Sequence, residues 1–382
     1  MGFSLYVHIP YCESKCPYCD FNSYVVPSVP EADYTRALES ELAFRAQQLP
    51  WAGNRIETIF FGGGTPSLFA PGSIRRVIET AAKLFGLQQN AEITIEANPG
   101  TVDKRKLLGY LEAGVNRISF GAQSFSPRLL KFLGRIHGPD QTCQAVAIAF
   151  DVGFERVNLD LIFAIPGQTV DELRRDLEQA IALKPDHISC YNLTFEPGTA
   201  FYTLLKRGRI KALPEDRQAR MYEIVRTFLR EHGYPMYELS NYAAAGHECR
   251  HNLTYWRRRP FLGIGAGAHS FADDERGGRR WWNERSPSVY IERVRTSGVG
   301  ESGSEEIDIR TAQREFVFLN LRLREGFALA DFRARFGQDF YDVFGSSVKH
   351  MFDGGLLVEQ EGRVRLSEDA VALADAVSAE FF

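Results

Sequence analysis

The segment LYVHIPYCESKCPYCDFNS, residues 5–23, decides the fold, because a short apolar run leads directly into three closely spaced cysteines. The apolar run belongs to the first of six predicted strands. Each strand is rich in Ile, Val, Phe or Tyr and ends at polar or Gly- and Pro-rich residues, as buried parallel strands do. The predicted strands span residues 4–9, 56–61, 92–97, 117–121, 156–161 and 187–193.

Stretches with helical periodicity separate these strands, at residues 31–48, 73–84, 104–113, 139–151 and 170–183. Alternating strands and helices predict an α/β protein with a mainly parallel sheet and right-handed crossovers. Six strand–helix units are fewer than the eight that close a complete barrel. We therefore expect an open or partial (β/α)6 barrel, and a doubly wound sheet as the second choice.

The chain changes character after these units. A longer helix, predicted at 214–232, precedes a Gly- and Arg-rich region with little periodicity, 243–285. The remainder predicts a mainly α domain in which three helices, a hairpin around Glu361-Gly362 and a last helix follow one another, an order that resembles a winged helix. The predicted domains are residues 1–240, a connecting region 241–300, and 301–382.

Charge argues against nucleic acid as a partner. The 382 residues carry 45 Lys and Arg against 49 Asp and Glu, a net charge of −4. From Glu301 onward there are 9 basic and 16 acidic residues, and a segment with a charge of −7 repels phosphate. We expect the winged-helix-like domain to pack or to dock a partner protein, with no nucleic acid bound.

The start of the chain lacks the basic segment and small-residue cleavage site of a signal peptide, and no apolar run approaches the roughly 18 residues of a membrane span. We therefore expect a cytoplasmic protein with no stable membrane insertion.

Cys12, Cys16 and Cys19 follow the first strand on one short loop, and in a reducing compartment such a group indicates a metal site. Iron–sulfur clusters are normally held by four cysteines, so three would leave one iron open to bind another group. Zinc is the main alternative, because His8, Cys249 or His247 could complete its four ligands. Cys143 and Cys190 lie within helix and strand patterns, where we expect them to be part of the core.

Polar and glycine residues lie where other strands end. Gly62-Gly63-Gly64-Thr65-Pro66 lets backbone N–H groups approach a ligand closely, since glycine has no Cβ. Glu96, Gln123 and Asp160 each lie at or near the carboxyl end of a different strand. Because active sites of such barrels lie at that end, we expect these residues and the cysteine loop to line one mouth.

Six segments together resemble the radical S-adenosylmethionine (SAM) proteins of the HemN/HemW branch. They are LYVHIPYCESKCPYCDFNS, FFGGGTP, EANPG, RISFGAQSF, LGRIHG and NLDLIFAIPGQ. The resemblance covers nearly the whole chain and implies a partial six-unit barrel. It also implies a [4Fe–4S] cluster on Cys12, Cys16 and Cys19, with SAM on the fourth iron. The residues that it implies around SAM are Tyr6, Tyr18, Gly63, Gly64, Thr65, Glu96, Gln123, Arg135 and Asp160.

The branch contains two kinds of protein. Its oxygen-independent coproporphyrinogen III oxidases have a fourth cysteine two residues after the third, where this chain has Phe21. Its heme chaperones carry the motif H-N-x-x-Y-W, which is present here as residues 251–256. The resemblance therefore implies a heme chaperone that delivers heme to acceptor apo-hemoproteins. The alternatives are the oxidase or another radical SAM tetrapyrrole enzyme, and a zinc-stabilised interaction protein.

Within that motif His251 is the expected axial ligand of heme, with Cys249 and His247 as the other candidates in the same segment. Tyr255 and Trp256 could supply flat apolar walls. Three arginines follow immediately at 257–259, and their guanidinium groups suit the propionate carboxylates of heme.

Overall fold

The computed structural model describes residues 2–275 and 277–382. Its centre is a run of parallel strands, each paired with the next along the chain. These strands are β1 (Gly2–Ile9), β2 (Arg55–Gly63), β3 (Leu87–Ala97), β4 (Arg117–Gln123), β5 (Val157–Phe163) and β6 (His187–Asn192). All six predicted strands are present, and most are a few residues longer than predicted.

Each strand alternates between two environments. In β1, Leu5, Val7 and Ile9 are fully buried on the side covered by helices. Tyr6 and His8 point to the other side, where the Tyr6 hydroxyl bonds to His8 Nδ1. Period-two alternation of this kind gives an apolar outer layer and a polar interior, and the interior is where ligands can be held.

Helices cover the outer face and connect the strands. The capping box of Thr169 and Glu172 starts one of them, since each side chain accepts a hydrogen bond from the other's backbone N–H. The helices up to residue 231 are α1 (Glu31–Arg45), α2 (Pro71–Phe85), α3 (Lys104–Glu112), α4 (Pro127–Phe132), α5 (Pro139–Val152), α6 (Val170–Ala182), α7 (Ala200–Lys206) and α8 (Glu215–Glu231).

The strand order confirms the partial barrel over the doubly wound sheet. From β1 to β6 every strand neighbours the one before it, so the order never reverses. A doubly wound sheet requires a reversal, with strands added on both sides of the first. The sequential order instead curves one layer of helices around one polar interior.

Short strands after β6 extend this sheet at both ends, and three of them, at residues 261–264, 269–272 and 278–283, come from the glycine- and arginine-rich region, whose sequence has little periodicity. β9 pairs in parallel with β1, β10 to β12 continue antiparallel, and β8 and β7 follow β6. The elements are β7 (Met236–Glu238), β8 (Asn241–Ala243), α9 (Arg250–Trp256), β9 (Phe261–Ile264), β10 (His269–Ala272), β11 (Gly278–Asn283), α10 (Pro287–Ser297) and β12 (Glu301–Ile307). The main sheet therefore continues past residue 300, although the sequence predicts that the last domain begins at residue 301.

The C-terminal part has its own apolar core, built around Phe332, Phe340 and Met351. Its hairpin turns at Glu361 and Gly362, as predicted, and both residues have positive φ, which two-residue hairpin turns of this kind require. The elements are α11 (Ile309–Asn320), β13 (Phe327–Ala328), α12 (Leu329–Phe336), α13 (Phe340–Asp353), β14 (Leu357–Gln360), β15 (Arg363–Leu366) and α14 (Ala374–Ala379). This arrangement confirms the mainly α, winged-helix-like domain. Over residues 2–275 and 277–382, we find no helix with the length and apolarity needed to cross a bilayer.

Candidate functional site

A cavity of about 600 Å³ opens at the carboxyl ends of the barrel strands. Most residues that the sequence singles out line it, although they come from six separate segments. They are Cys12, Cys16, Tyr18, Cys19, Gly63, Gly64, Thr65, Glu96, Gln123, Arg135 and Asp160. Of the predicted site residues, Tyr6 and His251 lie outside this lining.

The cysteine loop is held in place by its own backbone. The Cys12 amide donates to the Tyr24 carbonyl (3.0 Å), and the Tyr24 amide donates to the Pro10 carbonyl (2.7 Å). Lys15 Nζ donates to the Phe21 carbonyl at 2.7 Å, across the loop. These bonds close the loop on itself, so its three thiols face the cavity without any bond between them.

The thiols lie in surroundings that suit a charged cluster. Burial raises the pKa of the Cys12 and Cys19 thiols, because the surrounding charges and hydrogen bonds do not offset the loss of hydration of the thiolates. Arg135 Nη1 lies 3.5 Å from Cys16 Sγ, and Thr65 Oγ1 donates to Cys12 Sγ at 3.5 Å. The Nε of Arg135 is buried without a partner. In the described part of the chain, no three His, Cys, Asp or Glu side chains are grouped tightly enough to hold a single metal ion.

Two glycines after β2 bring backbone to the cavity wall. Gly63 has φ of +114°, and a Cβ there would lie 2.5 Å from the His8 ring. A Cβ on Gly64 would lie 2.6 Å from the Tyr11 carbonyl oxygen. A side chain at either position would collide with β1 or the start of the cysteine loop, so the fold itself requires glycine here, and the approach of a ligand to these backbone groups stays a prediction.

Glu96 and Asp160 form an acidic pair in the cavity. Burial, with a smaller effect from the negative charge of Asp160, raises the pKa of Glu96 to about 8. The Gly63 amide donates to Glu96 Oε2 at 3.3 Å. Asp160 accepts from Ser119 Oγ and Asn158 Nδ2, both at 2.8 Å, yet burial still raises its pKa. A cationic ligand group placed between the two carboxyls would relieve their repulsion.

Gln123 and Arg135 complete the opposite wall. Gln123 ends β4 with a positive φ of 65°, a conformation that costs a non-glycine residue free energy and that recurs at binding sites. Arg135 Nη2 donates to the Gly121 carbonyl at 3.0 Å, which aims the guanidinium at the cysteine loop. Tyr18 lies on the same side, and burial raises its pKa.

Tyr6 lies one layer below the cavity, inside the barrel. Its hydroxyl bonds to His8 Nδ1 at 3.0 Å, and His8 Nε2 bonds to the Asn22 carbonyl at 2.8 Å. Burial lowers the pKa of His8 to about 4, so this chain of bonds is uncharged at neutral pH. Tyr6 therefore supports the cysteine loop from beneath in the described conformation.

The helix α9, which carries the H-N-x-x-Y-W motif, closes the other end of the barrel. His251 is 1% exposed, and both ring nitrogens are engaged: Nδ1 with Thr58 Oγ1 (2.7 Å) and Nε2 with the Tyr255 hydroxyl (2.8 Å). Its ring stacks on Phe60 with centroids 5.0 Å apart. Burial, with a smaller effect from Arg117, lowers the pKa of His251 to about 3. In this conformation His251 has no ring nitrogen free for iron.

The other two candidate heme ligands differ in their surroundings. Cys249 is fully buried beside Glu92, whose Oε1 lies 3.7 Å from the sulfur. His247 is partly exposed, with Nδ1 3.6 Å from Asp186 Oδ1. Of the three arginines after the motif, Arg258 is buried and paired with Glu315 and Asp273 at 3.0 and 2.9 Å. Arg257 and Arg259 are more exposed.

Several cavity residues were not predicted. Tyr191 extends the polar face of β6, and strand alternation with His187 could have identified it. Arg322 and Asp375 come from the C-terminal domain and pair at 3.1 Å across the mouth. Arg322 also lies over the ring of Trp256, 4.8 Å from its centroid. Nothing in the local sequence indicates that these distant segments reach the barrel mouth.

Comparisons with known proteins agree with this architecture. The sequence profile of the Radical SAM superfamily matches residues 6–180, and that of the HemN C-terminal domain matches residues 308–373. The heme chaperone HemW of Bacillus subtilis (strain 168) is 36% identical over 379 residues, which cover 99% of this chain and 98% of the relative. The heme chaperone HemW of Escherichia coli (strain K12) is 45% identical over 329 residues, 84% and 82% of the two chains.

A solved structure shares the whole fold. Coproporphyrinogen III oxidase (HemN) from Escherichia coli, described as a radical SAM enzyme, aligns with a TM-score of 0.85. The alignment covers 99% of this chain and 89% of the oxidase, at 23% sequence identity. At that identity the likeness concerns the fold alone.

Proposed function

This chain belongs to the HemW family of the radical SAM superfamily, and on that premise we propose that it is a heme chaperone. It binds a [4Fe–4S] cluster, SAM and heme, and it transfers the heme to acceptor apo-hemoproteins in the cytoplasm. The observation that carries the proposal is the mouth of the barrel. The cavity has three thiols with a guanidinium beside them, and Phe21 on its rim where an oxidase of this branch has a further cysteine.

Cys12, Cys16 and Cys19 would hold the cluster. A cluster on three thiolates supplies one iron with an open position, to which the amino and carboxylate groups of SAM can bind. Arg135 balances thiolate charge, because its guanidinium contacts Cys16 Sγ and has an unpartnered Nε. The zinc alternative lacks its fourth ligand in this conformation, because both ring nitrogens of His8 are hydrogen-bonded, Cys249 lies beside Glu92 and His247 lies beside Asp186.

The acidic pair and the glycines would hold SAM. With a pKa of about 8, Glu96 is largely protonated at neutral pH, and a nearby cationic group would favour its ionised form. Asp160 offers a second acceptor, and Gly63 and Gly64 allow backbone contact with the ligand. Tyr6, Tyr18, Thr65 and Gln123 complete the proposed set, with Tyr6 acting through His8.

Phe21 separates the chaperone from the oxidase. Its side chain is 62% exposed on the cavity rim, and a phenyl ring provides no thiol or proton for chemistry on a substrate. An exposed aromatic side chain at that place is better suited to contact a flat apolar ligand or a partner protein. This position therefore favours carriage of heme over decarboxylation of a porphyrinogen.

Heme ligation by His251 remains a prediction, and it requires a change of conformation. Both ring nitrogens are bonded and the side chain is sealed beneath the cavity, so ligation requires α9 to leave the barrel. Such opening would break the bonds of His251 to Thr58 and Tyr255. His247 needs no such opening, because it is already partly exposed.

The test is reconstitution of the cluster under anaerobic conditions, followed by separate additions of hemin and of coproporphyrinogen III with SAM and a reductant. We expect iron–sulfur absorption, a Soret band from bound hemin, and transfer of that heme to an apo-hemoprotein. Repeated formation of protoporphyrinogen would instead assign the protein to the oxidases.

Two cysteine variants control the experiment. Cys16→Ala should abolish the iron–sulfur absorption, whereas Cys143→Ala, on α5, should retain it. Retained absorption in Cys16→Ala would mean that the proposed ligand set is wrong. Absence of iron–sulfur absorption in the wild type, together with bound zinc, would favour the zinc-stabilised interaction protein.

A further inference from the structure

A second cavity, of about 680 Å³, lies on the outer side of α9. The motif helix contributes Leu253 and Arg257, and β7 contributes Met236 and Tyr237. The hairpin of the C-terminal domain closes the third side. We call this cavity the arginine cleft, after the four arginines that line it: Arg257, Arg324, Arg363 and Arg365.

The walls of the arginine cleft are fixed by backbone pairing between the two domains. The Arg324 amide donates to the Tyr237 carbonyl at 2.9 Å, and the Leu239 amide donates to the Arg322 carbonyl at 3.1 Å. The segment after α11 therefore joins the edge of the main sheet through an antiparallel bridge between Glu238 and Leu323. A cavity with such walls is largely formed before a ligand enters. Its volume lies in the range of small-molecule sites, about 300–1,000 Å³.

The inner surface of the cleft is apolar where the two domains meet. Leu253 of α9, Met236 of β7 and Leu323 provide aliphatic and thioether surface. Leu323 is 3% exposed, whereas Leu253 and Met236 are only partly buried. This surface suits the face of an apolar ligand rather than a fully polar one.

The cleft concentrates basic side chains of a domain that is acidic overall. Beyond residue 300 there are 9 Lys and Arg against 16 Asp and Glu, yet three of those nine line this one cavity. They are joined by Arg257 from the motif helix. Three carboxylates line the cleft as well, those of Glu248, Glu325 and Glu361.

The carboxylates leave much of the guanidinium hydrogen-bonding capacity unused. Glu325 is shared by Arg257 at 3.1 Å and Arg363 at 3.4 Å. Arg324 pairs with Glu368, which also pairs with Arg226. Arg363 also donates to the Glu325 and Gly326 carbonyls, and Arg365 donates to the Leu366 carbonyl and Gln360 Oε1 at 3.2 and 3.3 Å. Each guanidinium has five N–H donors in a planar fork, so donors of Arg365 remain available after these two long bonds.

Two other arginines lie near enough to Arg324 to affect its charge. Partial burial lowers the pKa of this arginine, and the positive charges of Arg365 and Arg226 lower it further. A guanidinium whose charged form is disfavoured by its neighbours gains from an added anion. A carboxylate bound beside Arg324 would supply it.

We propose that the arginine cleft binds heme, with the ring against Leu253, Met236 and Leu323 and the propionates on Arg324 and Arg365. The inference rests on the proposed function and names the site for its ligand. It uses the outer face of the same helix whose inner face is occupied by His251 in the barrel. The folded conformation can therefore bind heme beside the motif without any opening of α9.

The test compares hemin with hemin dimethyl ester, in which both propionates are masked. We expect wild-type protein to bind hemin about tenfold or more tightly than the ester, because each charge-assisted pair contributes to affinity. The Arg324→Ala/Arg365→Gln double variant should bind hemin at least about tenfold more weakly and should lose the preference for the free acid. Affinities are measured by quenching of tryptophan fluorescence and by the Soret band.

Arg310→Ala provides the matched control, since it removes an exposed arginine of the same domain outside the cleft. The single variant Arg365→Gln retains the Arg324–Glu368 pair and guards against unfolding, with thermal melting and iron–sulfur content as checks. It should weaken hemin binding without lowering either quantity. Equal affinity of the wild type for hemin and its ester, or wild-type hemin affinity in the double variant, would overturn the assignment.

The experiment separates this inference from the proposed function. If wild-type protein binds no hemin, heme carriage itself fails. If the wild type binds hemin and His251→Gln weakens binding while the arginine variants do not, heme carriage stands and the arginine cleft is excluded as its site.

Discussion

His251 is fully enclosed, so the protein should lose stability on mild acidification through this one side chain. Its pKa in the folded protein is about 3, against about 6.5 for an unfolded histidine. Between these values the unfolded chain binds a proton that the folded protein does not. The stability is therefore complete above about pH 6.5 and declines as the pH falls.

The size of the effect follows from the two pKa values. Each pH unit within this window changes the free energy of unfolding by about 1.4 kcal/mol per titrating group. From pH 7 to pH 5, His251 spans about 1.5 units and should lower the free energy of unfolding by about 2 kcal/mol. His8, His137 and His187 also have lowered pKa values and add to the loss, whereas the raised pKa of Glu96 opposes it, so the contribution of His251 is read from the difference between the wild type and a variant.

His251→Gln isolates the contribution of this one residue. Urea unfolding of the cluster-free protein is followed at pH 7 and pH 5, and the loss between them is compared with that of the wild type. We expect the variant to be less stable at pH 7 by about 1–3 kcal/mol, since glutamine replaces only part of the bonding with Thr58 and Tyr255. Its loss on acidification should be smaller by about 2 kcal/mol.

The matched control is His350→Gln, because His350 is an exposed side chain on α13. It should reproduce the wild-type loss between pH 7 and pH 5. Equal losses in His251→Gln and the wild type would refute the reasoning, since they would show that His251 is accessible to protons in the folded protein.

Three further predictions concern the cavity and the domain contact. Glu96→Gln should flatten the pH dependence of stability between about pH 4.5 and pH 8, where the raised pKa of Glu96 makes the wild type less stable as pH rises; urea unfolding at pH 5 and pH 8 measures it. Gly63→Ala should lower the free energy of unfolding by about 1–3 kcal/mol and should weaken SAM binding. Gly72→Ala, with open space at its Cβ, should leave stability unchanged or raise it, and thermal melting of both variants measures the difference. Arg258→Ala should cost about 1.5–3 kcal/mol, because a buried guanidinium and its hydrogen bonds are lost while Glu315 keeps Arg280 and Asp273 keeps Arg335, and the exposed Arg259→Ala should cost less than about 1 kcal/mol; thermal melting compares them.

The barrel could be predicted because its pattern is local. Apolar runs of five to seven residues, separated by helical periodicity, are visible without any knowledge of which strands pair, and short connections make neighbours in sequence neighbours in space. The same rule placed Glu96, Gln123 and Asp160 at one mouth. The short strands β7 to β11 were not predicted, because three- to six-residue strands between glycines and arginines have no clear period.

The sequence by itself determined the cysteine loop and the fold around it, since three cysteines at fixed spacing and a glycine run after the next strand act through local backbone geometry. Tertiary structure alone decided the role of the H-N-x-x-Y-W helix. From its sequence His251 is an imidazole available to iron, but α9 turns it into the barrel, where Thr58 and Tyr255 occupy both ring nitrogens. Its outer face meets arginines more than 60 residues away, a contact made by domain packing that no local pattern encodes.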